Sequence, residues 1–146
     1  MFNHHTSNKT IVFALLFITL FIGFFFNENS SGGAFPDFLL RIEIINSFSN
    51  DFIGTFFNYN QYPDRHSPLI LILITMLLKS GLDINSIRFL HLFIVPLIIV
   101  VTHKCLISKY GKKYNYVFFL ISATFFLSPT IRSISIWPDS RLLGLL

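Results

Sequence analysis

The stretch that decides the fold is LILILITMLL, at residues 69–78. These ten apolar residues follow the polar turn PDRHSP, residues 63–68, and end at KSG, residues 79–81. A membrane-spanning helix needs about 20 apolar residues, so ten favour a short helix that lies at the membrane interface or re-enters it. If this segment crossed the membrane, the loop with Lys104, Lys109, Lys112 and Lys113 would lie outside, against the positive-inside rule. We therefore predict that residues 69–78 stay at the outer face.

The composition is that of a membrane protein. Hydrophobic residues make up 53% of the 146 residues and charged residues only 12%, whereas soluble domains contain about 25% charged residues. The net charge of +4 raises the question of a nucleic-acid partner. A short basic loop beside an apolar segment is better explained by the positive-inside rule, so we predict no nucleic-acid binding. The chain has a single cysteine, Cys105, which excludes an intrachain disulfide.

The remaining apolar runs predict an all-α, polytopic membrane helix bundle. Residues 10–26 form a continuous apolar run at the lower limit for a transmembrane helix. A cleaved signal peptide is the alternative, but the length of the run and the lack of a small-x-small cleavage site favour an uncleaved span. Further spans are predicted at residues 87–107 and 114–130, with a fourth beginning at residue 140 and an outer loop over residues 27–86. Since Lys9 shares a side with the basic loop, the N-terminus is predicted to be cytoplasmic, and the chain to be the N-terminal membrane portion of a longer protein.

The outer loop is predicted to contain a second juxtamembrane helix, which begins near Asp37. Phe38, Ile42 and Ile45 fall on one face of this helix, and Arg41 falls on another. Such an amphipathic helix is too polar to cross the bilayer and suited to its surface. Asp37 could simply cap the helix, an alternative that stays open at this point. Asp64, in the polar turn, is predicted to be solvated.

Charged residues at the predicted outer face form three groups. These are Asp37 alone, Arg65 with His66, and Arg132 with Asp139 and Arg141. Each group has an ordinary explanation as a helix cap, a solvated turn or a pair of interface anchors. The sequence contains no CxxC, HExxH or glycine-rich phosphate loop. No metal site or cofactor is therefore predicted; a divalent cation is possible, but nothing in the sequence indicates one.

The order of several short motifs is more informative than any single group. Asp37 follows the first span, His66-Ser67-Pro68-Leu69 precedes the short apolar helix, and Arg88 opens the second span. Leu127-Ser128-Pro129 ends the third span, and Pro138-Asp139 leads into the fourth. This order resembles the N-terminal part of the multi-spanning GT-C glycosyltransferases, such as the protein O-mannosyltransferases and the enzymes that transfer aminoarabinose to lipid A. The family motifs are Asp-Glu, Lys/His-Pro-Pro-Leu, Arg, Leu-Ser-Pro and Arg-Pro-Asp. This chain departs from them with Phe38 for Glu, Ser67 for the first Pro and Trp137 for Arg.

The resemblance implies an inverting enzyme of the bacterial inner membrane. Such an enzyme moves a sugar from a polyprenyl-phosphate donor to a hydroxyl of a glycan, lipid or protein acceptor at the outer leaflet. By the same resemblance, Asp37 is the general base, and the substrate-binding residues are Arg65, His66, Arg132, Asp139 and Arg141. The arginines would stabilise the charge that develops on the leaving phosphate. A fragment of this length is expected to be inactive alone.

Two other functions stay open. A transporter or flippase of lipid-linked sugars would share the charged outer groove, but it would be expected to show broken helices and inverted repeats. Pro96, within the second span, is the sequence feature that favours it. A structural membrane subunit would instead tolerate substitution of the outer carboxylates.

Overall fold

The chain folds into α-helices joined by short turns. The structure is a computed structural model that describes residues 4–30, 32–64 and 66–145, with side chains from residue 8 onward, and these residues contain no strand. This confirms the prediction of an all-α protein. The α-helices are α1 His4–Phe25, α2 Ala34–Asn50, α3 Phe52–Phe57, α4 Leu69–Lys79, α5 Ile84–His91, α6 Ile94–Tyr110, α7 Asn115–Ala123, α8 Pro129–Ile136 and α9 Ser140–Leu143. Two short 3₁₀ segments, Tyr59–Gln61 and Thr124–Leu127, lie between them.

Two helical stretches are long and apolar enough to cross a membrane. They cover Asn8–Phe25, with a mean hydropathy of 2.0, and Ile84–Tyr110, with a mean hydropathy of 2.1. The second stretch combines α5 and α6, which are separated by a turn at Leu92 and Phe93. Pro96 explains this break, because it has no N–H to donate to the carbonyl of Leu92. Together the two stretches indicate a membrane protein.

A third stretch is bent. The helical pair Asn115–Leu127 and Pro129–Ile136 meets at an angle of 63°, so it is either a broken span or a re-entrant loop. Pro129 opens α8, and the Ser128 hydroxyl caps it by accepting from the Ile131 N–H. The Leu-Ser-Pro sequence therefore ends one helix and begins another, which continues six residues beyond the predicted end of the span at residue 130.

The short apolar run folds into α4 and packs against α2. An 11-residue helix is about 16 Å long, roughly half the thickness of a bilayer core. Its Ile70, Leu71 and Ile74 side chains are buried, while Leu69 and Met76 on the opposite face are exposed. The buried face meets a second apolar surface from α2 and α5. Those partners are Ile44, Ile45, Phe48 and Ile87.

The molecule has two ends that differ in charge. The end that carries Lys9 and the four lysines between residues 104 and 113 is called the basic end, and the opposite end, which carries carboxylates and their arginine partners, is called the acidic end. At the basic end, the Lys9 ammonium near the start of α1 donates to Asn115 Oδ1 at the start of α7 (2.7 Å). At the acidic end, Glu28 accepts from Arg132 Nε (2.8 Å), and its carbonyl accepts from the Trp137 indole (3.1 Å). Since α1 runs between these contacts, Lys9 and the lysine-rich connection between α6 and α7 lie together, far from Glu28.

The Glu28–Arg132 ion pair lies so close to the backbone of position 23 that only glycine fits there. A Cβ at this buried position would lie 2.2 Å from Glu28 Oε2 and 3.0 Å from Arg132 Nη2. We expect Gly23→Ala to displace the ion pair and lower the free energy of unfolding by about 1–3 kcal/mol. Unfolding of the detergent-solubilised protein in urea or sodium dodecyl sulfate measures the effect. Gly144→Ala is the control, because a Cβ there would make only ordinary contacts at 3.5 Å; equal effects of the two substitutions would contradict the prediction.

Candidate functional site

A cluster of charged side chains lies at the acidic end. Three segments contribute to it: α2, the polar turn at residues 63–68, and the turn that leads into α9. Its described members, called the charged cluster below, are Asp37, Arg41, Asp64, His66, Asp139 and Arg141. Contacts across nearly a hundred residues of sequence hold these segments together, as the Arg41–Asp139 ion pair illustrates.

Arg41 is the centre of this cluster. Its guanidinium donates from Nε to Asp64 Oδ2 (3.0 Å) and from Nη1 to Asp139 Oδ2 (2.7 Å). The residue is only 4% exposed. A buried cation is tolerated in proteins when it is paired and hydrogen-bonded, and Arg41 has a carboxylate partner in each of two segments. It therefore fixes the polar turn and the approach to α9 against α2.

Asp139 joins the buried and the exposed parts of the cluster. Its carboxylate caps α9 by accepting from the Arg141 N–H (2.7 Å), and it also accepts from Arg141 Nη2 (2.6 Å). Burial alone would raise the pKa of Asp139, but the hydrogen bonds from Arg141 and Arg41 outweigh this effect and hold the pKa well below its usual range. Asp139 therefore stays ionised at neutral pH.

Asp64 orients the imidazole of His66. Its Oδ1 lies 2.8 Å from His66 Nδ1 and accepts from the His66 backbone N–H (3.0 Å). Because an ionised carboxylate can only accept, the short contact indicates that Nδ1 carries the proton. The guanidinium of Arg41 is also near Nδ1, at the longer distance of 3.3 Å, and can only donate. In the neutral imidazole, the other ring nitrogen, Nε2, is then the acceptor.

Asp64 is itself held ionised. Burial would raise its pKa, but hydrogen bonds from His66 and Arg41 outweigh that effect and lower the pKa below its usual value. Its side chain is 7% exposed. The expectation that Asp64 is solvated was therefore wrong: the turn folds its carboxylate inward onto Arg41 because the buried guanidinium needs a partner.

A cavity of about 200 Å³ opens beside the charged cluster. Asp37, Arg41, Asp64 and His66 contribute its polar wall, and Leu40, Ile44 and Pro63 its apolar wall. Most binding pockets for small ligands measure about 300–1,000 Å³, so this cavity has room for part of a large ligand. Asp37 and Arg141 are each 45% exposed and lie 3.1 Å apart, which makes them the members most accessible to a ligand.

Asp37 does not cap α2. Gly33 occupies the cap position, and Asp37 lies in the first turn of the helix, where its charge is favourable for the helix dipole. The capping alternative is thereby excluded. What distinguishes Asp37 structurally is that it lines the cavity and contacts Arg141 of α9.

The predicted site residues lie in three different places. Asp37, His66, Asp139 and Arg141 come together in the charged cluster. Arg132 lies apart, since its guanidinium bonds Glu28 and also donates to the Thr19 carbonyl (3.0 Å). Arg65 lies outside the described residues.

Sequence reasoning missed Arg41 as a member of the cluster. The predicted apolar face of α2 shares Phe38 and Ile45 with the observed one, but it had Ile42 where the observed face has Arg41. The buried residues of α2 are Ala34, Phe38, Arg41, Ile44, Ile45 and Phe48. The spacing of Ala34, Phe38, Arg41, Ile45 and Phe48 alternates between four and three, as expected for one face of a helix. A basic residue inside such an apolar stripe was the signal that could have identified a buried ion pair.

Arg88 stabilises the neighbourhood of the charged cluster. Its guanidinium lies 3.7 Å from the centre of the Trp137 ring and donates to Asn27 Oδ1 (2.9 Å) and to the Ile136 carbonyl (3.2 Å). An arginine at position 137 would bring a second cation close to Arg88. The tryptophan instead offers an aromatic face, which attracts the guanidinium.

In the described part of the chain, no group of three or more His, Cys, Asp or Glu side chains is arranged to hold a metal ion. The expectation that no metal takes part stays a prediction.

The lowered pKa values predict an acid-sensitive fold. Asp64 and Asp139 have pKa values below those of unfolded aspartate, about 3.9. Their contribution to stability is complete above pH 4 and is lost as the pH falls through the lower pKa values of the folded state. We expect the contribution of these two aspartates to the free energy of unfolding to vary little between pH 7 and pH 5 and to fall below pH 4. Unfolding titrations at several pH values measure this, and an Asp64→Asn/Asp139→Asn double variant should show a smaller slope; an unchanged slope would contradict the assignment.

Comparison with known proteins gives this site no relative. No protein family, no curated protein and no solved structure matches the chain. Any function assigned to the chain therefore depends on its own residues and their geometry.

Proposed function

We propose that the chain provides the catalytic carboxylate of a membrane glycosyltransferase. The reaction moves a sugar from a polyprenyl-phosphate donor to a hydroxyl acceptor at the outer membrane face, with inversion at the anomeric carbon. One observation carries the proposal: Asp37 and His66, which occupy separate motifs in the sequence, line the same cavity. Asp139, from a third motif, is bonded to the arginines beside it.

The accessible members of the cluster suit the chemistry of sugar transfer. Asp37 accepts the proton of the acceptor hydroxyl while the oxygen forms its bond to the anomeric carbon. The bond between that carbon and the phosphate oxygen breaks, and its electron pair goes to the lipid phosphate. Arg141 is half-exposed and lies 3.1 Å from Asp37, so it can bind the phosphate as negative charge develops.

The buried members have a supporting role. Arg41 is fully engaged by Asp64 and Asp139, so it positions the side chains around the cavity and does not bind the donor. His66, whose Nδ1 is held by Asp64, lines the cavity that would receive the ligand. Arg132 has no substrate contact in this proposal, because Glu28 and the end of α1 engage its guanidinium.

The orientation follows from the charges at the two ends. The basic end carries Lys9 and the four lysines between residues 104 and 113, which favours the cytoplasmic side. The acidic end with the charged cluster then faces outward, where lipid-linked sugars are used. On this basis we propose that the N-terminus lies in the cytoplasm; the inner membrane of a bacterium is the location expected from the lack of disulfides and the Phe-, Ile- and Asn-rich composition.

A second cavity could receive the lipid tail. It measures about 170 Å³ and is lined by α4 and α5, mainly by apolar side chains such as Ile70, Leu73 and Leu90. Pro138, which precedes Asp139, also lines it. The lining of this apolar cavity thus includes the sequence neighbour of Asp139, a member of the charged cluster. A donor with a phosphate head and an isoprenoid tail needs a charged site and an apolar cavity of this kind.

A transporter of lipid-linked sugars is the second candidate. The 63° bend between Leu127 and Pro129 favours it, since transporters build substrate sites at broken helices. The two functions differ in their products, because only the transferase separates the sugar from its lipid phosphate.

The test is an assay of the protein as the cell makes it, reconstituted with a panel of polyprenyl-phosphate sugars and a labelled acceptor. We expect release of polyprenyl phosphate and labelling of the acceptor with inverted anomeric configuration. If intact donor instead crossed the liposome membrane without release of polyprenyl phosphate, the protein would be a transporter. A topology reporter inserted at Gly111 provides a second measurement, and an external position for it would refute the proposed orientation.

A further inference from the structure

The basic end carries a surplus of positive charge. Its five lysines, Lys9, Lys104, Lys109, Lys112 and Lys113, contribute more charge than the net +4 of the whole chain. The sequence has no Asp or Glu between residues 84 and 138. In the part of the chain that the structure describes, none of the ion pairs involves any of these lysines. The positive charge of this end is therefore not neutralised by any carboxylate among the described residues.

Contacts between helices bring together the elements that carry these lysines. Asn115 Oδ1 accepts from Lys9 Nζ (2.7 Å) and lies 2.9 Å from His103 Nε2, which ties α1, α6 and α7 together. Lys104, Lys109, Lys112 and Lys113 are all exposed. The surface is thus built from three helices and does not consist of a flexible tail.

The connection between α6 and α7 is too short to extend far from the membrane surface. Only residues 111–114 separate the two helices, and Gly111 makes the turn with a φ of +78°. Four residues reach at most about 14 Å, so the lysines stay close to the ends of the apolar helices. The Lys109 ammonium lies 5.3 Å from the Tyr110 ring centre and the Lys113 ammonium 5.2 Å from the Tyr114 ring centre. Exposed tyrosines of this kind are typical of the headgroup layer.

We propose that the basic end is a binding site for anionic phospholipid headgroups, such as those of phosphatidylglycerol. The lysines provide charge and hydrogen-bond donors for the headgroup phosphates, and the adjacent apolar helices contact the acyl chains. At the headgroup layer, the attraction between a lysine and an anionic lipid acts over the Debye length of about 8–10 Å. Nucleic acid and free phosphate lack the acyl chains that this geometry accommodates. The site is independent of the proposed sugar transfer.

The experiment is native mass spectrometry of the purified chain in neutral detergent with equal amounts of phosphatidylglycerol and phosphatidylcholine. We expect phosphatidylglycerol to be retained preferentially, with about a fivefold loss of affinity for each lysine removed. Replacement of Lys104, Lys109, Lys112 and Lys113 by Gln should abolish the preference, and replacement by Arg should keep it. Lys79→Gln, which removes an exposed charge from α4, is the matched control and should have no effect.

Three results would overturn the proposal. The first is equal retention of the two lipids by the unsubstituted chain. The second is an undiminished preference in the Gln variant, with circular dichroism showing that its helices are intact; if that variant unfolds, Lys112→Gln/Lys113→Gln alters only the turn and is tested in its place. The third is displacement of the lipid by an equal concentration of inorganic phosphate or of a short oligonucleotide, which would assign the surface to a soluble anion.

Discussion

Asp37→Asn is expected to reduce sugar transfer by about 10²–10⁴-fold, the contribution that general base catalysis usually makes. The amide keeps the shape of the side chain but cannot take a proton from the acceptor hydroxyl. Donor binding should change little, because Arg141 and His66 are retained. The measurement is the initial rate of acceptor labelling at saturating donor, together with the apparent KM for the donor.

Loss of folding cannot account for such an effect. Asp37 is 45% exposed, and its ion pair with Arg141 is equally exposed, so the pair contributes at most about 1 kcal/mol to stability. Glu43→Gln is the matched control, since it removes an exposed carboxylate from the same helix. Asp37→Glu should recover part of the rate. If Asp37→Asn and Glu43→Gln gave the same rate as the unsubstituted protein, Asp37 would not be the base.

The helices were largely predictable because hydrophobic patterning dominates this sequence. The apolar run at residues 69–78 became α4, and the first and second long runs became helices of membrane-spanning length. Helix ends were less predictable, since they depend on local capping. Ser128 and Pro129, for instance, were interpreted as a stop but also begin α8.

The charged cluster was predictable only in part. Motif order singled out Asp37, His66 and Asp139, and these residues do lie in one cluster. Sequence position could not show that Arg132 turns toward Glu28, because that choice depends on how α8 packs against α1. Nor could it show that Asp64 is buried, because burial of one charge depends on a partner from another segment.

Arg41 explains why the cluster has this form. A cavity at a membrane surface needs walls that do not move with the lipid. The turn before α9 is already anchored in the hydrophobic core by Trp137, and the Arg41 guanidinium ties the polar turn to it by binding Asp64 and Asp139 together. Positions 64 and 139 are therefore fixed relative to α2, and Asp37 and His66 are placed on the same cavity as a consequence.

Arg41→Met is accordingly expected to destabilise the fold by about 3–5 kcal/mol, because it removes the only arginine among the described residues that binds the buried Asp64 carboxylate and one of the two that bind Asp139. Unfolding of the detergent-solubilised protein measures the loss, and Lys79→Met, which removes an exposed cation from the adjacent helix, should change the free energy of unfolding by less than about 0.5 kcal/mol. Adding Asp64→Asn and Asp139→Asn to Arg41→Met should recover part of the stability, since the carboxylates no longer need a counterion. Recovery in this triple variant distinguishes unpaired charge from lost packing. If the triple variant were less stable than Arg41→Met alone, the side-chain volume of Arg41, and not its charge, would be what holds the two turns to α2.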